Sequence, residues 1–185
     1  MNKIYKTLLL AVITFGLFGC SHSATGDNGT KLEAKMLLVD HSVYSQYWIE
    51  GETRSYPPDI DVEHVYISFI YKRNSNIVSG HQISRYMTTE DSASHYEVLA
   101  ARKPGDTDDQ DLASLVNVTL TADDSSTTCG IVTVTHLPLC ATVARYDDYI
   151  SVFSSYIKKG AMSISDYNQI LQKIDDRISR AIITK

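Results

Sequence analysis

The chain has 185 residues, 43% hydrophobic and 21% charged, with a formal net charge of −5 and a pI near 5.6. That length suits one hydrophobic core, the apolar share excludes disorder along most of the chain, and the acidic balance leaves no cationic surplus for nucleic-acid phosphates. Twelve Tyr against four Pro favour a sheet-rich fold over a proline-rich scaffold.

The first residues read as an address. Met1 to Lys6 carries Lys3 and Lys6 and no acid, and the thirteen residues Thr7 to Gly19 are almost unbroken in apolar character. A helix of that length spans about 20 Å, short of the ~30 Å hydrocarbon core, so the pattern is an export signal rather than a resident span. It closes on Leu17-Phe18-Gly19-Cys20, which resembles the lipobox of bacterial lipoprotein precursors. The resemblance implies cleavage before Cys20, a diacylglycerol on its thiol and an acyl chain such as palmitate on its amine. Ser21 is not the Asp linked with inner-membrane retention, so the resemblance implies an outer-membrane anchor facing the periplasm. Residues 1–19 are then a signal peptide. Residues 20–31 are the lipidated cysteine and a small, polar, flexible tether, SHSATGDNGTK after Cys20. Residues 32–185 form a single periplasmic domain. Loss of residues 1–19 removes two lysines and no acid, leaving 166 residues and a charge of −7.

The body begins with strand-like pieces at 36–39 and 43–49, then a loop at 54–61 marked by Pro57-Pro58. Val62 to Lys72 alternates Val65, Ile67, Phe69 and Tyr71 on one face against Tyr66 and Ile70 on the other, as a central strand covered on both sides does. The turn residues Asn74-Ser75-Asn76 lead to a second strand at 77–87. Further strands are expected at 96–102, at 115–121 with Val116, Val118 and Leu120 inward, and from Cys129 toward a turn at Pro138. In an exported protein the pair Cys129 and Cys140 reads as a disulfide, tying that strand to the entry of a helix. Zinc is the competing reading, but only His136 lies between the two cysteines.

Beyond Cys140 the spacing changes. Val143, Tyr146, Ile150, Phe153 and Ile157 recur at three and four residues, as on one helical face, with Lys158-Lys159 in the last turn and Gly160 as the stop. Ser163 or Ser165 caps a second helix carrying Ile164, Tyr167, Leu171, Ile174, Ile178 and Ile182. The expected fold class is therefore α+β: an antiparallel β-sheet followed by a C-terminal antiparallel helical hairpin, with one disulfide.

A search for catalytic patterns returns little. Ser155-Tyr-Ile-Lys158 has the S-x-x-K spacing without its partner motifs. Asp40-His41-Ser42 contains three triad residue types, but adjacency on a strand turns neighbours to opposite faces. The acidic loop with Asp106, Asp108, Asp109 and Asp111 fails the EF-hand register, because Asp111 stands where glycine is needed. The expectation is no enzyme, no metal and no cofactor.

Two segments are candidates for partner binding: the aromatic group Tyr44, Tyr47, Trp48 and Tyr56, and the acidic residues Asp106, Asp108, Asp109 and Asp111. Tyr and Trp offer rigid contact area with a polar tip, although the same side chains can fill the edge of a sheet core. The leading functional expectation is a membrane-anchored lipoprotein that binds another envelope protein, as an immunity or inhibitor protein against a toxin or hydrolase. The alternatives are an accessory or pilot lipoprotein of a secretion, pilus or conjugation apparatus, a carrier of lipid or another hydrophobic ligand, and a small hydrolase with an unfamiliar site. Nucleic acid is not expected as a partner.

Overall fold

Val65, Ile67, Phe69 and Tyr71 are all buried on one face of their strand, and this alternation is repeated across a seven-stranded antiparallel sheet. The computed structural model describes residues 32–59 and 62–183; the expected signal peptide, Cys20 and the whole tether lie outside them. In chain order the elements are β1 (Trp48–Asp59), β2 (Val62–Tyr71), β3 (Val78–Tyr86), α1 (Thr89–Ala100), β4 (Thr107–Asp108), α2 (Gln110–Ser114), β5 (Asp124–Val132), β6 (Leu137–Tyr146), β7 (Tyr149–Tyr156) and α3 (Ile164–Ile183). The sheet order is β1-β2-β3-β7-β6-β5-β4. Two three-stranded meanders, β1 to β3 and β5 to β7, are joined where β3 meets β7.

Each meander is followed by a helix, and the two helices cover opposite faces. Helix α3 lies on the face that carries Phe153, Thr142 and Tyr146: the Tyr167 ring packs 4.9 Å from Phe153, and its hydroxyl donates to Phe153 O at 3.1 Å. Ser163 caps the helix reciprocally, its Oγ accepting from Asp166 N while its own N–H donates to Asp166 Oδ2. Tyr167, Leu171, Ile174 and Ile178 are buried, so the apolar stripe of this helix is where the spacing places it. Helix α1 lies on the other face, where Tyr96 joins Tyr86, Val143 and Ile150 in a smaller cluster.

The expected helical hairpin does not form. Residues 143–156 are the end of β6, a two-residue turn at Asp147-Asp148 and β7, so α3 is the single C-terminal helix. The physical reason lies in burial on both sides. Tyr146 and Phe153 face α3, while Val143 and Ile150 face α1, so apolar residues of both faces interleave at spacings that mimic one helical stripe. Residues 96–102, expected as a strand, belong instead to the end of α1 and the turn beyond it. That helix starts from a capping pair, Thr88 Oγ1 accepting from Asp91 N and donating to Asp91 Oδ2. Pro57 and Pro58, expected in a loop, fall within β1. This strand is at the sheet edge, where a missing N–H breaks no ladder. It carries two register breaks against β2, at Glu50/Thr53 and Tyr56/Asp59, each placing one extra residue on β1.

The α3 face is roofed on both sides of that helix. On one side the chain from Leu32 to Tyr44 makes 3-10 turns at Ala34–Leu37 and His41–Val43 and buries Leu37, Leu38 and Val39, where short strands were expected. On the other side residues 115–121, expected as a strand, join no ladder, although Val116, Val118 and Leu120 are half-buried against the core as expected. Asp175 of α3 pins this segment, its Oδ1 accepting from Thr121 N, Thr121 Oγ1 and Tyr146 Oη at 2.8, 3.0 and 2.9 Å.

The disulfide joins Cys129 of β5 to Cys140 of β6, which lie directly opposite each other. It therefore links two neighbouring strands rather than a strand and a helix entry. Pro138 belongs to β6, and the turn falls at Thr133–His136.

His81 is fully buried under the Leu32–Tyr44 segment. Its Nδ1 accepts from Val39 N at 3.1 Å, which places the ring proton on Nε2, facing Ser151 Oγ at 3.0 Å. Burial, with a smaller contribution from the Arg177 charge, pushes its pKa down to about 3. The unfolded chain binds this proton near pH 6.5, so stability that is intact above pH 6.5 is lost as pH falls toward 3. The slope from this residue is up to about 1.4 kcal/mol per pH unit. Urea denaturation at pH 7, 5 and 4 is expected to show that loss in the parent protein and a flatter profile in His81→Gln, whose amide can replace both ring contacts. Parallel profiles would remove His81 as the cause.

Candidate binding surface

Helix α1 covers only part of its face of the sheet. Its contacts involve Tyr86, Val143, Ile150 and Val152, and the rest of that face, on β1, β2 and the middle of β3, carries no further layer among the described residues. Ladder register sets the side chains there in rows: Arg54 beside Tyr66 and Gln82, and Ile70 beside Val78. All five are half-buried, and Ile49 is 42% exposed at the start of β1. The Tyr66 ring lies flat over Gly80, where an added Cβ would come within 2.7 Å of it, so the glycine seats the tyrosine on the sheet. Arg54 bonds Glu52 at 2.5 Å, and the Tyr56 hydroxyl sits near the same guanidinium, outside strict hydrogen-bonding geometry. Glu52 first, then Tyr56, holds the Arg54 charge and raises its pKa, while Arg54 holds the Glu52 carboxyl below the ordinary range. The result is a Tyr, Arg and aliphatic surface on a rigid strand scaffold. Of these, Tyr and Arg are the types that dominate binding energy at protein interfaces.

The expected aromatic group is split by the fold. Tyr44 and Trp48 are core residues: Tyr44 packs 4.1 Å from Phe69 and bonds Ser79 Oγ, and Trp48 is 1% exposed with its Nε1 donating to Ala161 O at 3.2 Å. Tyr56 is half-buried beside Arg54. Tyr47 is the most exposed of the four, and the Arg73 guanidinium stands 4.2 Å from its ring centroid. The acidic residues are largely occupied with local structure. Asp106 accepts from Thr133 N across the β5–β6 turn, Asp108 pairs with Lys103 at 2.7 Å, Asp109 caps α2 through Leu112 N, and Asp111 lies exposed in the first turn of α2. No three metal-ligating side chains converge among the described residues.

Arg54 and Tyr66 are the surface residues that the sequence left unmarked. The signal was present in VEHVYISFIYK, whose second face carries Tyr66 and Ile70. It pointed to a strand covered on both sides, whereas the second layer reaches β2 only at Val62, its first residue.

A groove of about 750 Å³ also runs between Leu115, Asn117 and Thr119 on one wall and Ile164, Asn168 and Gln172 of α3 on the other. Asn168 Nδ2 spans it, donating to Asn117 Oδ1 at 2.8 Å. Its lining holds no charged side chain, so the groove offers no titrating group for acid–base chemistry. Comparison with protein-family models, with curated proteins and with solved structures finds no match for this chain.

Proposed function

We propose that this chain is a lipid-anchored protein of the bacterial envelope that acts by binding another protein, of the immunity or inhibitor type directed against an envelope-targeted toxin or hydrolase. The partly open sheet face carries the binding half of this reading: a supported surface of Tyr66, Arg54, Ile70 and Val78, rigid enough to bind with little ordering cost. The location half rests on Leu17-Phe18-Gly19-Cys20 after a basic-headed apolar run. A disulfide suits the same oxidising compartment.

Cys20→Ser is expected to abolish palmitate incorporation and to move the protein from the membrane to the soluble fraction. Continued labelling of that variant would overturn the anchor. The binding mode is tested by extraction of the lipidated protein in mild detergent. A stoichiometric protein partner supports it, and a bound lipid released in its place favours a carrier.

A further inference from the structure

Most arginines of the described domain are matched to acids: Arg54 to Glu52, Arg85 to Glu63, Arg145 to Asp123 and Asp124, and Arg177 to Asp40. One end of the sheet departs from this pattern. Lys72 and Arg73 follow β2, and Lys158 and Lys159 follow β7. Strands β2 and β7 are each antiparallel to β3, which lies between them, so both run toward the same end, two strand spacings or about 10 Å apart. All four cations are exposed, and none pairs with a carboxylate among the described residues. Of the acids near that end, Asp106 bonds Thr133 N and Asp166 bonds Ser163, and exposed Glu50 of β1 forms no ion pair with the four cations.

This end is built rather than loose. Tyr71 Oη donates to Gly160 O at 2.7 Å and Trp48 Nε1 donates to Ala161 O, tying the turn after β7 to the ends of β1 and β2. Gly160 takes φ +85°, which lets that turn close. Lys72 N donates to Tyr47 O at 2.8 Å, and Lys72 Nζ donates to Gln46 O at 3.0 Å. Tyr47 is thereby presented outward, 37% exposed, with Arg73 stacked on it. Ile70 and Val78 of the open face lie next to this rim. The chain from the tether enters at the opposite end of the strands, where Leu32 O accepts from Tyr149 Oη and Arg85 Nη1.

We propose that this basic end, Lys72, Arg73, Lys158 and Lys159 around the Tyr47 ring, together with the adjoining open sheet face, docks an acidic surface of a partner protein. The proposal rests on the binding reading above and names the partner's chemistry. Local charge runs against the net charge: a chain of −7 after loss of its signal concentrates unpaired cations at one aromatic corner, and complementarity there calls for carboxylates. Anionic lipid fits less well, because the cations stand at the end of the strands remote from where the tether enters.

The test uses full-length protein in detergent micelles with three defined probes: poly-L-glutamate, phosphatidylglycerol doped into the micelles, and a single-stranded oligonucleotide. The variant Lys72→Glu/Arg73→Glu/Lys158→Glu/Lys159→Glu is compared with Lys35→Glu/Arg102→Glu/Lys173→Glu as the control, both checked for an unchanged melting temperature. The fourfold reversal is expected to slow association with poly-L-glutamate about tenfold at low salt and the control to leave it nearly unchanged. Equal association by both variants, or a larger effect of the reversal on phosphatidylglycerol micelles or oligonucleotide than on poly-L-glutamate, would overturn the proposal. A stoichiometric envelope partner that co-purifies equally with parent and reversed protein sinks the basic end and leaves the binding reading standing. Loss of poly-L-glutamate binding with no co-purifying partner does the opposite.

Discussion

Trp48→Ala is expected to lower the stability of the domain by about 3–5 kcal/mol, the range for truncating a large buried aromatic side chain. Trp48 is 1% exposed, its ring centroid lies 5.3 Å from that of Tyr44 and 5.5 Å from that of Tyr71, and its indole nitrogen holds Ala161 O. Truncation opens a cavity at the junction of β1, the turn before α3 and the Leu32–Tyr44 segment, and it also leaves that carbonyl without its donor. Chemical denaturation measures the effect directly. The outcome separates the two roles that an aromatic cluster in the sequence suggests: an interface residue would leave the unfolding midpoint in place and change only partner affinity. A midpoint shift below about 1 kcal/mol would return Trp48 to the surface.

Removal of the disulfide ranks next. The double variant Cys129→Ala/Cys140→Ala releases a closed loop of eleven-residue separation, a constraint worth about 3 kcal/mol in the chain-entropy model. Both sulfurs are buried in the main core, so some lost packing adds to that figure. For a domain of this size each kcal/mol corresponds to about 2–4 °C, and the melting temperature is expected to fall by roughly 6–12 °C. The fold itself should persist, because nine register pairs already align β5 with β6. A variant that melts with the parent would show that the hairpin needs no covalent support.

The elements that could be read from the residues were those with one environment per face or one stripe. Strand β2, the turn at 74–76, strand β3 and the Ser163-capped helix α3 stand where alternation and spacing put them. So does the cysteine pairing. The misreadings occur where two layers compete for the same strand. In β6 and β7, α3 covers one face and α1 part of the other, so neither parity is polar and the period of two disappears. What remained was the turn Asp147-Asp148 and a run rich in Val, Ile, Phe and Tyr, which is strand chemistry rather than helix chemistry. The partner-binding candidates were hidden for a related reason. Nothing in the spacing of Tyr44, Tyr47, Trp48 and Tyr56 says which of them points inward. That is decided by the turn before β1 and by the register breaks within it.

Those breaks in β1 bear on how the protein meets its neighbours. A sheet grows by offering a row of unpaired amides to the next chain, and this one narrows that route at both margins. At one margin the outer strand is twelve residues long but is interrupted twice and carries two consecutive prolines. At the other margin the last strand is only two residues, laid across the end of β5. Along β1, neighbouring copies would therefore find a poor template for stacking strand on strand. Under the proposed binding role, association would fall on the broad face of the sheet, where side chains rather than backbone decide which partner is accepted.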